Sequence, residues 1–207
     1  MFSPDSKFMQ IISRITDLIL LNIVFLITCL PVVTIGPSVT AMYTLCFRMM
    51  REEDNGVIMP YFRAFRNNFR QSIALSGILL LVTGPALYYA HRVFQTDSLL
   101  RYTGFVFLLI AAIGLMTAAY VFPWVSQFRN SIGQSLQNAL ILSITNLPRS
   151  LCILLLQLLP VGLWIFNFEL FQKISFLWLA LYFSAAAYMT AGLLWHVFKP
   201  YRNPESK

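Results

Sequence analysis

Residues 18–47 read LILLNIVFLITCLPVVTIGPSVTAMYTLCF, thirty positions without one ionisable acid or base. A charge at mid-bilayer costs about 2.5–3.5 kcal/mol on insertion scales. A span needs about 20 apolar residues, because about 30 Å of hydrocarbon is crossed at 1.5 Å per residue. The run is therefore too long for one straight crossing and short for two. Pro31, Gly36 and Pro37 sit in its middle, so a break is expected near Thr34. The reading is one helix over about 15–33, a turn through Thr34-Ile35-Gly36-Pro37, and a second helix over about 37–51. Proline in a first turn, with glycine just before it, suits a restart of helix. The second piece is either a short crossing or a re-entrant helix.

Outward from this run, charge-free stretches recur at 71–91, 102–128, 150–168 and 174–198. They predict spans over about 72–92, 102–122, 149–168 and 174–197. The chain of 207 residues is 58% hydrophobic and 11% charged, against about a quarter charged in soluble domains. Too few ionised groups remain to cover an exterior in water. The runs are solid rather than alternating, which excludes barrel strands. The expected fold is all-α: a single integral membrane domain, 1–207, of five to six membrane segments with two amphipathic interfacial helices. An N-terminal signal peptide is not expected, since the first run far exceeds a signal core of about 7–15 residues and ends in no small-residue cleavage site.

The formal charge is +7, which at this hydropathy points to anionic headgroups rather than nucleic acid. Positive-inside counting puts Lys7, Arg14, Arg48, Arg51, Arg63, Arg66, Arg70, Arg129, Arg149, Lys199, Arg202 and Lys207 on the cytoplasmic side. Arg92, Arg101 and Lys173 remain outside. If 37–51 does not cross, the N-terminus moves outside and the asymmetry weakens. The expectation is six segments with both termini cytoplasmic.

Two connecting stretches read as interfacial helices. Over about 57–71, Tyr61, Phe62, Phe65 and Phe69 recur at helical spacing. Arg63, Arg66, Asn67 and Arg70 take the opposite face, the pattern of a helix lying on headgroups. Over about 124–147, Gln127, Asn130, Ser131, Gln134, Ser135 and Asn138 form a milder polar set. Phe65-Arg66-Asn67 and Phe128-Arg129-Asn130 match at a fixed offset, followed by Gln71-Ser72 and Gln134-Ser135. This is either an internal repeat of a surface helix plus a span or the chance likeness of two membrane-facing helices.

The segment Leu30-Pro31-Val32-Val33-Thr34-Ile35-Gly36-Pro37, followed by Ala41-Met42-Tyr43, resembles the YesL family of bacterial membrane proteins. So do the stretch from Tyr61 to Gln71 and the segment Asn146-Leu147-Pro148-Arg149. The resemblance extends over essentially the whole chain. It implies a bacterial cytoplasmic membrane protein of unknown molecular activity, encoded beside carbohydrate uptake systems and sensor kinases. A carbohydrate importer or a sensor kinase is the partner it implies. It supplies no catalytic residues.

Candidate sites are few. The helix break brings Thr34, Gly36, Pro37, Ser38 and Thr40 together, where hydroxyls and backbone N–H groups could meet an anion or a sugar, as in broken transporter helices. The simpler expectation is a hairpin turn whose hydroxyls cap the helix. Arg63, Arg66 and Arg70 are expected to hold a surface helix to lipid phosphate or to dock a soluble partner. Asn22, Thr28, Gln157 and Asn167, polar within apolar runs, should face the bundle interior. Thr83-Gly84-Pro85 predicts a kink. Glu52-Glu53-Asp54 reads as a solvated loop, and Cys29, Cys46 and Cys152 as small hydrophobes. Neither His91 nor His196 has metal-binding companions. Metalloprotease, nucleophile-elbow and phosphate-loop motifs and paired intramembrane carboxylates are missing, so no enzyme, cofactor or metal is expected. The expected role is that of an accessory or modulator of a membrane transport or sensing system, plausibly for carbohydrate. The alternative is a small permease or channel for a neutral solute.

Overall fold

A computed structural model describes residues 7–53, 56–95 and 99–202. Asp54 and Lys207 lie outside them. The described chain is an all-α multi-pass bundle of eight helices: α1 Lys7–Cys29, α2 Ile35–Met50, α3 Ile58–Phe94, α4 Thr103–Gln127, α5 Ile132–Thr145, α6 Leu147–Phe166, α7 Phe168–Lys173 and α8. The last comprises Ser175–Leu177, a π-helical stretch Trp178–Tyr182, and Phe183–Arg202. Five helices are long and apolar enough to cross a membrane: α1, α3, α4, α6 and α8. Their outward residues are leucines, valines and aromatics, among them Leu81 at 75% and Leu155 at 72% exposure. Water would not tolerate so continuous an apolar exterior.

The break after α1 comes earlier than the sequence predicts. α1 ends at Cys29, Val32–Thr34 forms a 3-10 turn, and α2 starts at Ile35. Pro31 is the reason: it lacks an N–H, disfavours helix at Leu30, and itself adopts φ −76°, ψ 120°. Gly36 and Pro37, expected in the turn, lie in the first turn of α2, where a missing N–H costs no hydrogen bond.

α2 is only sixteen residues, yet eleven of them are buried. It packs against α1, α3, α4 and α8 and so forms the centre of the bundle. Leu21, Tyr61, Leu75, Tyr120 and Phe198 fill the space around it. α2 returns to the end from which α1 departs: Leu45 and Met49 share a cleft with Ser13 and Asp17, and Met49 and Met50 share another with Arg14, Trp195 and His196. Phe198 and Tyr201 meet Trp124 edge-to-face near the end of α4, at 5.5 and 5.3 Å. The first helix thus begins, and the last helix finishes, at the same end of the bundle. Arg48, Arg51, Arg63 and Arg129 gather there, and we refer to it as the arginine-rich end.

Of the two expected surface helices, the first is not a separate element. The 57–71 stretch is the first part of α3, which continues unbroken through Pro85 to Phe94. At 37 residues α3 measures about 55 Å, far more than the hydrocarbon thickness, so its arginine-bearing part extends past the apolar belt. Ala64 and Ser72 face inward along this part, which gives it an inward contact side that keeps the helix intact. The 124–147 stretch divides differently. Residues up to Gln127 complete α4, 128–131 turn the chain, and α5 packs back on α4. A capping box starts α5: the Ser131 hydroxyl accepts from Gln134 N–H, and the Gln134 amide oxygen accepts from Ser131 N–H, both at 3.3 Å.

Several buried polar groups are paired across helices, whereas Trp178 Nε1 and Thr190 Oγ1 have no hydrogen-bond partner among the described residues. Asn22 is fully buried. Its amide donates to Leu179 O (2.7 Å) and Trp178 O (3.4 Å) and accepts from Ser184 N–H (3.0 Å). A π turn leaves carbonyls without their usual partners, and Asn22 of α1 satisfies two of them. Thr28 is half-buried and bonds Tyr61. Gln157 is exposed on α6 but donates to Tyr43 Oη at 3.3 Å. Asn167 does not face the interior. It separates α6 from α7 and caps α7 by accepting from Leu170 N–H.

Candidate functional site

The hydroxyls of the α1–α2 hairpin are taken up by the hairpin itself. Thr34 Oγ1 donates to the carbonyls of Thr28 and Pro31, each at 2.6 Å. Ser38 Oγ donates to Thr34 O at 2.8 Å. Thr40 Oγ1 donates to Gly36 O at 3.0 Å and bonds Ser72 Oγ at 2.9 Å. Tyr61 Oη lies 2.6 Å from Thr28 Oγ1 and donates to Ser38 O at 3.3 Å, tying α3 to both arms. Ser38 and Thr40 are fully buried. Capping is not their part, since α2 has no side-chain cap; they bond backward onto carbonyls instead. Gly36 permits the close approach of α3, because a Cβ there would stand 2.6 Å from Ser72 O and 2.8 Å from Ser76 Oγ. The hairpin tip is apolar and outward-facing, with Leu30 at 80% exposure and Val32 and Val33 exposed beside it. Thr34, Gly36, Pro37, Ser38 and Thr40 thus form a packing joint.

The second predicted set, Arg63, Arg66 and Arg70, is exposed on α3. The structure divides it between two spaces. Arg66 and Arg70 line an open groove of about 640 Å³ with Phe62, Phe65 and Phe69. Phe65 and Phe69 pack there at 5.4 Å. Tyr61 does not line this groove, although its ring touches Phe62 and Phe65 at 5.7 and 6.4 Å. It turns into the core and is fully buried, which the helical spacing alone did not distinguish.

Arg63 faces the other space, a cavity of about 630 Å³ at the arginine-rich end. Three elements wall it: the end of α2 with Thr44 and Arg48, the first part of α3 with Arg63 and Asn67, and the α4–α5 turn with Gln127 and Arg129. Among the described residues no carboxylate lines it. Its walls are braced from outside. Glu53 pairs with Arg48 Nε (3.2 Å) and Arg51 Nε (2.7 Å). Arg51 Nη1 donates to Gln127 Oε1 at 3.0 Å, tying α2 to α4. Gln71 Nε2 donates to Asn130 O (2.9 Å) and Ser135 Oγ (3.2 Å), tying α3 to the turn and to α5.

This last contact joins the two matching motifs. The first, at Phe65-Arg66-Asn67 and Gln71-Ser72, is helical throughout, whereas the second spans the α4–α5 turn. They touch where Gln71 of one meets Asn130 and Ser135 of the other. Arg48 and Arg129 were not singled out as site residues in the sequence. Arg63 was singled out, and the motif match contains Arg129.

A further cavity of about 250 Å³ opens between the helices, lined by Phe25, Met42, Phe122, Phe183 and other mostly apolar side chains. Its polar atoms are those of Tyr43 and Gln157, which bond each other, and of Tyr182, whose hydroxyl donates to Leu156 O.

Residues 18–90 match a family described as "Protein of unknown function, DUF624". The match covers most of α1, all of α2 and α3 up to Ala90, and stops short of the α4–α5 turn. No curated protein and no solved structure matches the chain.

Proposed function

We propose that the protein is an accessory subunit of the bacterial cell membrane, similar to the YesL proteins, that modulates a carbohydrate importer or a sensor kinase. In this reading the arginine-rich end faces the cytoplasm, as positive-inside asymmetry favours, and both termini lie on that side. One observation carries the accessory role. The bundle centre is occupied by α2 and large buried side chains, while the accessible polar and basic surface is concentrated at one end. A carrier needs a hydrated or polar route near mid-membrane, and the cavity among the helices is largely apolar, with Gln157 Nε2 bonded to Tyr43. A regulator needs an exposed, chemically distinctive face on the side of its partner, and the groove beside Arg66 and Arg70 has that character.

Three measurements test this. The purified protein in liposomes should move no neutral sugar above protein-free vesicles. From gently solubilised native membranes, it should co-purify with an importer or kinase, and Arg66→Glu with Arg70→Glu should weaken that association. Saturable sugar flux through the protein alone would instead establish a permease. A reporter fused at the N-terminus that reads as external would overturn the orientation.

A further inference from the structure

We propose that the cavity walled by Arg48, Arg63 and Arg129 is a binding site for a phosphoryl group. The inference goes beyond the accessory reading and does not depend on it. Three arginines from three separate elements line one space of about 630 Å³, a volume typical of small-molecule sites. Guanidinium forks match phosphate oxygens in pairs. Asn67, Thr44 and Gln127 add amide and hydroxyl groups to the same wall.

The sequence that supplies most of the cavity wall is short of acids. Between Asn55 and Thr96, and again between Ser98 and Phe168, the chain has no Asp or Glu. α3, α4, α5 and α6 therefore carry no internal counter-charge. Arg63 has no carboxylate partner among the described residues, and Arg48 shares Glu53 with Arg51. A concave, cationic, amide-lined space favours a multiply charged anion over a neutral sugar. The site is also braced by the protein, because the Arg51–Gln127 and Gln71–Asn130 bonds link α2, α3 and the α4–α5 turn around it. Pre-organisation of this kind favours affinity.

Phosphoryl chemistry has two sources here, the headgroup of an anionic lipid and a soluble phosphorylated compound. The full-length protein is stripped of lipid in a neutral detergent and titrated in two arms. One arm uses short-chain dioctanoyl phosphatidylglycerol, and the other inorganic pyrophosphate. Thermal unfolding and the fluorescence of Trp124, next to the cavity wall, report binding. The expected result is a saturable shift in at least one arm that weakens as salt rises. A response to the lipid alone assigns a headgroup site, and a response to pyrophosphate alone assigns a soluble ligand. Arg63→Gln with Arg129→Gln should weaken binding about 30-fold or more, as expected for loss of two charge-assisted contacts. Arg66→Gln with Arg70→Gln, outside the cavity, should change it less than about threefold. Should the cavity pair destabilise the bundle, Asn67→Leu offers a second test, since it fills the same space without removing charge and should also block binding. No saturable response in either arm, or equal losses from the two arginine pairs, would overturn the proposal.

Discussion

Gly36 and Gly77 are both helical glycines, yet the same substitution should have opposite effects at the two. A Cβ at Gly36 would stand 2.6 Å from the backbone oxygen of Ser72. Ordinary contact begins at 3.4 Å, so α2 and α3 would have to part by about 0.8 Å. Rotating Ser76 cannot relieve this, because the nearest atom belongs to the backbone. Overpacking of this kind costs about 1–3 kcal/mol, offset by up to about 1 kcal/mol from the better helix propensity of alanine. The net expectation for Gly36→Ala is a loss of about 1–2 kcal/mol. At Gly77, one turn along α3 from Ser72 and Ile73, a new Cβ meets nothing within 4 Å. Gly77→Ala should therefore be neutral or stabilising by up to about 1 kcal/mol. The pair should differ by roughly 2 kcal/mol, near 30-fold in the unfolding constant. Equilibrium unfolding in mixed micelles, followed by tryptophan fluorescence and circular dichroism, measures it. If Gly36→Ala proves as stable as Gly77→Ala, the close α2–α3 contact at the hairpin is wrong.

Three further outcomes follow from the interior. Asn22→Leu leaves the Trp178 and Leu179 carbonyls and Ser184 N–H without this partner. It should cost about 1–2 kcal/mol on the scale of interhelical hydrogen bonds in membranes, and undiminished stability would show that the π turn does not need this amide. Tyr61→Phe keeps the ring but removes the bridge between Thr28 and Ser38. A loss of about 0.5–1 kcal/mol in the same assay is expected, and no loss would mean that the hydroxyl is not bonded. Cys46 is fully buried, whereas Cys152 is exposed on α6. In intact membranes a lipid-soluble maleimide should label Cys152 and spare Cys46, while a charged maleimide should label neither; rapid labelling of Cys152 by the charged reagent would place the start of α6 in water.

Much of this architecture was legible in the charge spacing, because insertion penalises a buried charge strongly enough to mark the limits of a helix. The runs after Arg101 and Lys173 became α4 and α8 within a few residues. The hairpin was legible from Pro31 and Gly36, although the break moved toward Pro31, whose missing N–H ends α1 before Gly36 is reached. The course of 57–71 was not legible. Amphipathic spacing shows that a helix has a basic side, but not whether the helix turns at the interface or continues into the next span. Tyr61 illustrates the same limit, since its spacing groups it with Phe62 and Phe65 while its hydroxyl is bonded inside the core. The arginine cavity was least legible of all. Arg48, Arg63 and Arg129 come from distant parts of the chain, and only the packing of α2 and the α4–α5 turn against α3 places them around one space.

Everything rests on an exterior of leucine, valine and aromatic side chains that only hydrocarbon can solvate. Alkaline carbonate extraction of expressing cells tests this most directly, because it strips peripheral proteins and leaves integral ones. The protein should stay wholly in the membrane pellet and leave it only with detergent, emerging as a monodisperse helical particle. Recovery of a folded, monodisperse species in the aqueous supernatant would contradict the account.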